Sequence, residues 1–179
     1  MLEIGYMAQS LTTKRVTFVL FALLEALSFN LFASLNLKST AFNRNTTIPA
    51  KYTCDGDNIS PTLFWGKAPA KTKSFVLIVD DVDVPGENWV HWLVFNIPAN
   101  TWLLENGSLP KEAKTGFNSW GKPGYKGPCP PQGTHHYFFK LYALDTFLSL
   151  PKTVQKRAVF RAMRGHVLET SELMGLYSK

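Results

Sequence analysis

Ser74-Phe75-Val76-Leu77-Ile78-Val79, running into Asp80-Asp81-Val82-Asp83-Val84-Pro85, decides the architecture of this 179-residue chain. A continuous apolar run bounded by charges reads as a strand buried on both faces. Downstream, Trp89 to Ile97 is a second long β-prone run. His135 to Leu144 is a third, with His135, Tyr137, Phe139 and Leu141 on one face and His136, Phe138, Lys140 and Tyr142 on the other. Upstream, Leu35 to Ser39 alternates apolar and polar residues like a half-buried strand. Tyr52 to Pro61 is turn-rich, with Gly56 suited to a tight turn because glycine tolerates positive φ. Asn100 to Gly133 is a long Gly/Pro-rich connection, stiffened by the five prolines from Pro110 to Pro131. Only Thr153 to Leu168 predicts a helix, with Val154, Ala158, Ala162 and Gly165 at helical spacing after Pro151. The class is therefore mainly β, with one or two peripheral helices near the C-terminus.

Composition limits what such a domain does. The chain is 45% hydrophobic, enough for a core, and its 18% charged fraction argues against disorder. Its formal net charge is +6, and because Glu3, Lys14, Arg15 and Glu25 cancel within residues 1–33, the remainder carries all of it. That favours anionic partners, but the basic residues are scattered and no stacking motif accompanies them, so specific nucleic-acid binding is not expected. Lys14-Arg15, the apolar run Val16 to Leu24 and the small residues Ala33 and Ser34 read as an export signal over 1–33, interrupted by Glu25. The expectation is a periplasmic or secreted domain over 34–179. The alternative is a cytoplasmic protein whose N-terminus is a buried or amphipathic helix. Cys54 and Cys129 are the only cysteines; in an exported protein they suggest a disulfide, though their spacing alone equally allows two reduced thiols.

The polar chemistry gathers in Asp81-Val-Asp-Val-Pro85, His91-Trp92, Gly127-Pro-Cys-Pro-Pro131 and His135-His-Tyr137, which hold three of the four histidines. Asp81 and Asp83 leave a buried strand at its rim; one is expected to face a pocket while the other caps the turn through backbone N–H groups. Val84-Pro85 suits a cis bond in so tight a turn. If the first two long strands pair as neighbours, His91 returns close to Asp81. The proline-rich loop forms a rigid wall whose free N–H groups could point at an anion. Imidazoles with an ordinary pKa of ~6.5 suit a phosphate monoester when charged. Taken alone, Asp81 and Asp83 read as ordinary turn residues. A metal site has no chelating motif behind it, and no metal or cofactor is expected. Cys129 beside His135 could be a nucleophile, but a bond to Cys54 would end that idea. His166 reads as a pocket residue reaching in from the C-terminus or as a cation favoured by a helix dipole.

These motifs, in this order, resemble the phosphatidylethanolamine-binding protein family, in particular its bacterial and archaeal Raf-kinase-inhibitor-like branch. The likeness spans Leu35 to Lys179. It rests on Tyr52-Thr-Cys-Asp-Gly56, Asn58-Ile-Ser-Pro61, Asp81 to Pro85, His91-Trp-Leu-Val94, Gly124 to Pro131, His135-His-Tyr137, Leu141-Tyr-Ala-Leu144, Arg164-Gly-His166 and Leu173 to Tyr177. The resemblance implies a β-sandwich of antiparallel sheets with a pocket for phosphate-like anions and phospholipid headgroups. Asp81, His91, Cys129, Pro130, His135 and Tyr137 would line it, with Asp83, Pro85, Gly127 and Pro131 in support. Two departures stand out: the family's His-Arg-Tyr is His135-His136-Tyr137 here, and the spacer from Pro131 to His135 is short. The function implied is non-enzymatic binding of a phosphate-bearing small molecule or headgroup, with peripheral membrane contact. The alternatives are an inhibitory module for a kinase or protease partner, working through loop 100–126, and a weak phosphoester or acyl hydrolase using the same Asp/His cluster.

Overall fold

A computed structural model describes residues 34–179 of the chain, so the expected export signal over 1–33 lies outside the described residues. The strands run β1 (Lys38–Ser39), β2 (Thr46–Thr47), β3 (Leu63–Phe64), β4 (Ser74–Asp81), β5 (Trp89–Pro98), β6 (Leu103–Leu104), β7 (Lys114–Thr115), β8 (Thr134–Leu144) and β9 (Val167–Ser178). One helix, α1 (Lys156–Met163), lies between β8 and β9. Six strands form a sheet in the order β2-β9-β8-β4-β5-β7, and β1-β3-β6 form a second. The mainly β expectation holds, with one departure from antiparallel pairing: β2 runs parallel to β9.

Every residue of β4 is buried, as its unbroken apolar run demands of a central strand. Phe75, Leu77 and Val79 face the core shared with Leu63, Trp65 and Leu104 of the small sheet's side. Val76 and Ile78 face the opposite way, into a second core closed by Val154, Val159 and Met163. The described residues thus form a sandwich with α1 laid over the outer face of the large sheet. The last two residues of β4 keep the alternation. Asp80 stands on the helix side, where its buried carboxylate accepts from Lys140 at 2.8 Å and from Lys156 of α1 at 2.6 Å. Asp81 ends on the inner side.

Three local expectations are corrected. The helix is eight residues, not the span Thr153 to Leu168; it starts at Lys156, and it stops at Met163 because Gly165 takes φ +78 and turns the chain into β9. Only Lys38–Ser39 of the expected strand 35–39 is paired. The Val84-Pro85 bond is trans; no cis peptide occurs among the described residues.

Candidate functional site

β4 pairs with β5 and with β8, so the end of β4 is flanked on both sides: Asp81 lies opposite Trp89 on one strand and Tyr137 on the other. The β4–β5 register passes from Val79↔Trp92 to Asp80↔Val90, which leaves His91 as the extra residue of a bulge. A bulge re-aims a side chain, and this one carries His91 into the interior, 2% exposed. On β8, His135 and Tyr137 share a face, and Tyr137 is fully buried. The Tyr137 ring therefore lies between two imidazoles, 5.2 Å from His91 edge-on and 6.5 Å from His135.

Each imidazole has one nitrogen already occupied. His135 Nδ1 meets Asp81 Oδ2 at 2.7 Å. Asp81 Oδ1 also accepts the Asp83 N–H at 2.9 Å, so this one carboxylate both orients the ring and caps the turn. Asp83 supports the turn from the β8 side: it accepts from the His136 backbone N–H at 2.6 Å and from His136 Nδ1 at 2.9 Å. Burial pushes the Asp83 carboxyl up, but these His136 bonds outweigh it and hold the group below the usual carboxylate range. His91 Nδ1 lies 2.6 Å from the Lys126 carbonyl, which can only accept, so Nδ1 bears the proton and Nε2 is the free nitrogen. Burial lowers the His91 pKa, against the opposing pull of the Lys126 carbonyl and the Asp81 charge. His91 is thus neutral in the open site at pH 7, whereas the sequence suggested a charged ring.

The Tyr137 hydroxyl is buried without a hydrogen-bond partner. Burial first, then the Asp81 charge and the approach of the O–H to the Asp81 carboxylate, drive its pKa far upward, so it stays a neutral O–H donor at any working pH. The Cys129 backbone acts on the same hydroxyl in the opposite sense.

The Gly127 to Pro131 loop is fastened to the 52–58 turn. Cys54 and Cys129 are joined by a disulfide, and Cys54 N–H donates to Pro128 O at 3.0 Å. Gly127 N–H donates to Asn58 Oδ1 at 2.7 Å, so it is committed within the protein and not free for an anion. A Cβ on Gly127 would lie 2.3 Å from the Tyr52 carbonyl, so only glycine fits there. Positive φ in the upstream turn belongs to Asn58, not Gly56. Pro130 is buried, while Cys129 and Pro131 face solvent. With its sulfur bonded, Cys129 has no thiolate to offer as a nucleophile.

Reading the sequence missed Trp120, which packs edge-on against His91 at 5.1 Å and against Trp89 at 5.4 Å. Lys126 Nζ caps its ring at 4.3 Å from the centroid. Beside this stack opens a cavity of about 350 Å³ lined by Asn58, Asn118, Trp120, Lys122, Tyr125 and Lys126. A Trp-Gly-Lys string within a Gly/Pro-rich loop gave no local signal of this. His166 is not part of the site: it pairs with Asp145 at 2.8 Å, at the other end of β8. Asp81, Asp83 and His135 also offer three ligand atoms within 4.8 Å of one another, so the cluster could hold a small cation if His135 Nδ1 gave up its bond to Asp81.

Comparison with known proteins places the chain in a family. A family model described as phosphatidylethanolamine-binding protein matches residues 38–178. A UPF0098 protein of Methanothermobacter thermautotrophicus is 51% identical over 150 residues, 81% of this chain and 99% of the relative. The crystal structure of a candidate phosphatidylethanolamine-binding protein homologue from Chlamydia trachomatis is 42% identical with a TM-score of 0.78, covering 82% of this chain and 98% of that one. YbcL of Escherichia coli, described as a member of the mammalian PEBP family, is 32% identical with a TM-score of 0.77, covering 82% and 99%.

Proposed function

The chain belongs to the phosphatidylethanolamine-binding protein family, and from that premise we propose that it binds a phosphate monoester or similar oxyanion at Asp81, His91, His135 and Tyr137 without turning it over. The observation that carries this reading is the Tyr137 hydroxyl, buried beside the Asp81 carboxylate with no well-formed hydrogen bond, on a ring that lies between two imidazoles. A buried donor without an acceptor costs about 1–3 kcal/mol, which an oxygen of the ligand would recover. His135, held through Nδ1 by Asp81, keeps Nε2 for the ligand. His91 presents a neutral Nε2, so it accepts the proton of a P–OH group or becomes charged as the anion arrives. Counted from the free dianion and neutral His91, either complex holds one extra proton, so affinity falls as pH rises above the ester's second pKa of about 6. The chemistry is shared by a free phosphate ester and by a lipid headgroup. The bonded Cys129 offers no nucleophile, which favours binding over hydrolysis. The disulfide also supports an exported protein, since such bonds persist in oxidising compartments.

The test is an NMR titration of the histidine rings of the full chain with phosphate, then phosphoethanolamine, against His135→Ala. Saturable shifts confined to His91 and His135, and lost in the variant, support the reading. Rings unmoved at millimolar ligand, or moved equally in the variant, refute it.

A further inference from the structure

Most of the chain's excess positive charge sits in one segment without acids. Residues 146–168 hold Lys152, Lys156, Arg157, Arg161 and Arg164 and no Asp or Glu, a formal +5 of the whole chain's +6. Lys156 is spent on Asp80. The other four form no salt bridge among the described residues. The helix gathers three of them: Arg157, Phe160, Arg161 and Arg164 are all exposed, and their three- and four-residue steps put them on a single helix face. Val159 and Met163 face the other way, into the core beneath α1. A cation in the first turn opposes the helix dipole, and Arg157 stands there with no acid to offset it.

The same segment carries most of the exposed apolar surface. Phe147, Phe160, Val167 and Leu168 are four of the five large hydrophobic side chains exposed among the described residues, Trp102 being the fifth. The fold brings these four to one end of the large sheet. Asp145 N–H donates to His166 O at 3.1 Å, joining the chain after β8, where Phe147 follows, to the chain before Val167 and Leu168 of β9. His166 N–H donates in turn to the carbonyl of Met163, the last residue of α1. Leu35 N–H donates to Glu169 Oε1 at 2.9 Å, so the chain also enters the described domain at this end. The apolar run Val16 to Leu24, read from the sequence as part of an export signal, is thereby joined to the domain here.

Arginines interleaved with exposed aromatic and aliphatic side chains match a surface that offers phosphate above hydrocarbon. A nucleic-acid backbone would answer the arginines and leave Phe147, Val167 and Leu168 with nothing to bury against. A folded protein partner calls for an apolar centre with a charged rim, whereas Phe160 stands within the row of arginines. We infer that α1 and the adjoining end of β8 and β9 form a docking surface for an anionic lipid bilayer. Arg157, Arg161 and Arg164 meet the headgroup phosphates, and Phe147, Phe160 and Leu168 enter the boundary between headgroups and acyl chains. The surface is independent of the anion reading at Asp81. Tyr137 of that site lies seven residues along β8 from Leu144, roughly 23 Å at about 3.3 Å per residue.

The experiment is co-sedimentation of the full chain with vesicles of phosphatidylcholine, with and without phosphatidylglycerol. Phosphatidylglycerol should tighten binding at least about tenfold, and rising salt should reverse the gain. The triple variant Arg157→Gln, Arg161→Gln, Arg164→Gln should lose at least about tenfold on the anionic vesicles and nothing on the neutral ones. Phe147→Ser with Leu168→Ser tests the apolar contact without touching a charge, and should weaken anionic binding at least about fivefold. All five residues are exposed, so both variants should melt with wild type. Equal binding to both kinds of vesicle overturns the inference, because the apolar run upstream would then be the anchor. Undiminished binding of the arginine variant to anionic vesicles overturns it as well. Tighter binding to duplex DNA than to anionic vesicles, lost in the arginine variant, would assign the face to nucleic acid instead. A serine double variant that binds like wild type would refute the seating of Phe147 and Leu168 in the bilayer.

Discussion

Tyr137→Phe separates a ligand-facing hydroxyl from a structural one because the two roles predict opposite stability changes. A buried hydroxyl that is hydrogen-bonded inside the protein typically stabilises by about 1 kcal/mol, and its removal lowers stability by that amount or more. The Tyr137 hydroxyl has no such bond, and its ring is fully buried between His91 and His135. Deleting one oxygen therefore removes an unmet desolvation cost and leaves the ring packing in place. The ligand-free variant should melt at or above the wild-type temperature, by up to about 2–4 °C per kcal/mol gained for a chain of this size. Binding should change the other way. A hydrogen bond to a charged acceptor contributes about 1.5–3 kcal/mol, so phosphate affinity should fall roughly 10- to 140-fold at about 1.4 kcal/mol per decade. Calorimetric titration with phosphate, paired with thermal melts with and without ligand, reads both effects on one protein. A variant that melts several degrees lower and binds phosphate as well as wild type would refute the reasoning: the hydroxyl would then be a structural donor.

Three other perturbations follow from the same geometry. Asn96 sits at φ +56 in the second irregularity of β5, donating to Leu148 O at 2.9 Å and accepting from Leu148 N at 2.8 Å. Asn96→Ala strands two buried backbone groups and should cost about 2–4 kcal/mol in a denaturant melt; a loss below half a unit of that range would show the pair to be solvated. Replacing Cys54 and Cys129 together by serine opens a loop of 75 residues and should cost about 4 kcal/mol through the freedom returned to the unfolded chain, seen as a drop in the denaturation midpoint that is absent when wild type is measured under reducing conditions. His91 has a folded pKa below its unfolded value of about 6.5. Below that pH the unfolded chain binds the extra proton first, so stability holds above about pH 6.5 and declines as pH falls. In His91→Gln that share of the acid sensitivity should vanish, and a melting profile against pH identical to wild type would contradict it.

What the sequence revealed and what it hid divide along the range of the interactions. β4, β5 and β8 were legible because burial on one or both faces imposes a hydrophobic pattern within the strand itself, and the observed limits extend the expected ones by one or two residues at an end. The helix was placed correctly but drawn too long at both ends, by three residues at its start and five at its end: Gly165 fitted the helical spacing as a small residue, yet its positive φ is what stops the helix. Asp81, His91, His135 and Tyr137 were identified through their motifs, and the strand pairing brings them together. Their roles were less readable. Which nitrogen of His91 is free depends on a carbonyl 35 residues away, at Lys126, and no local spacing encodes that. Trp120 and Asn58 act from loops, where no periodicity marks a buried contact.

Asp80 shows most directly why a motif is not a site. Asp80 and Asp81 are adjacent, of one residue type, at one strand end, and both are buried. The two-residue period of the strand sends them to opposite faces, and the faces assign their work. On the outer face Asp80 meets two lysines, Lys140 of β8 and Lys156 of α1, so its charge is spent on fastening the helix to the sheet. On the inner face Asp81 meets an imidazole and a backbone N–H, and no lysine or arginine among the described residues lies within salt-bridge distance of it. A carboxylate answered by two ammonium groups is chemically closed. A carboxylate answered by one imidazole, whose other nitrogen is still unpaired, passes its influence on to whatever that nitrogen binds. The paired aspartates therefore tie the position of the helix to the same strand end that orients the binding site, and the difference between anchor and site lies in the partners that the neighbouring strands bring.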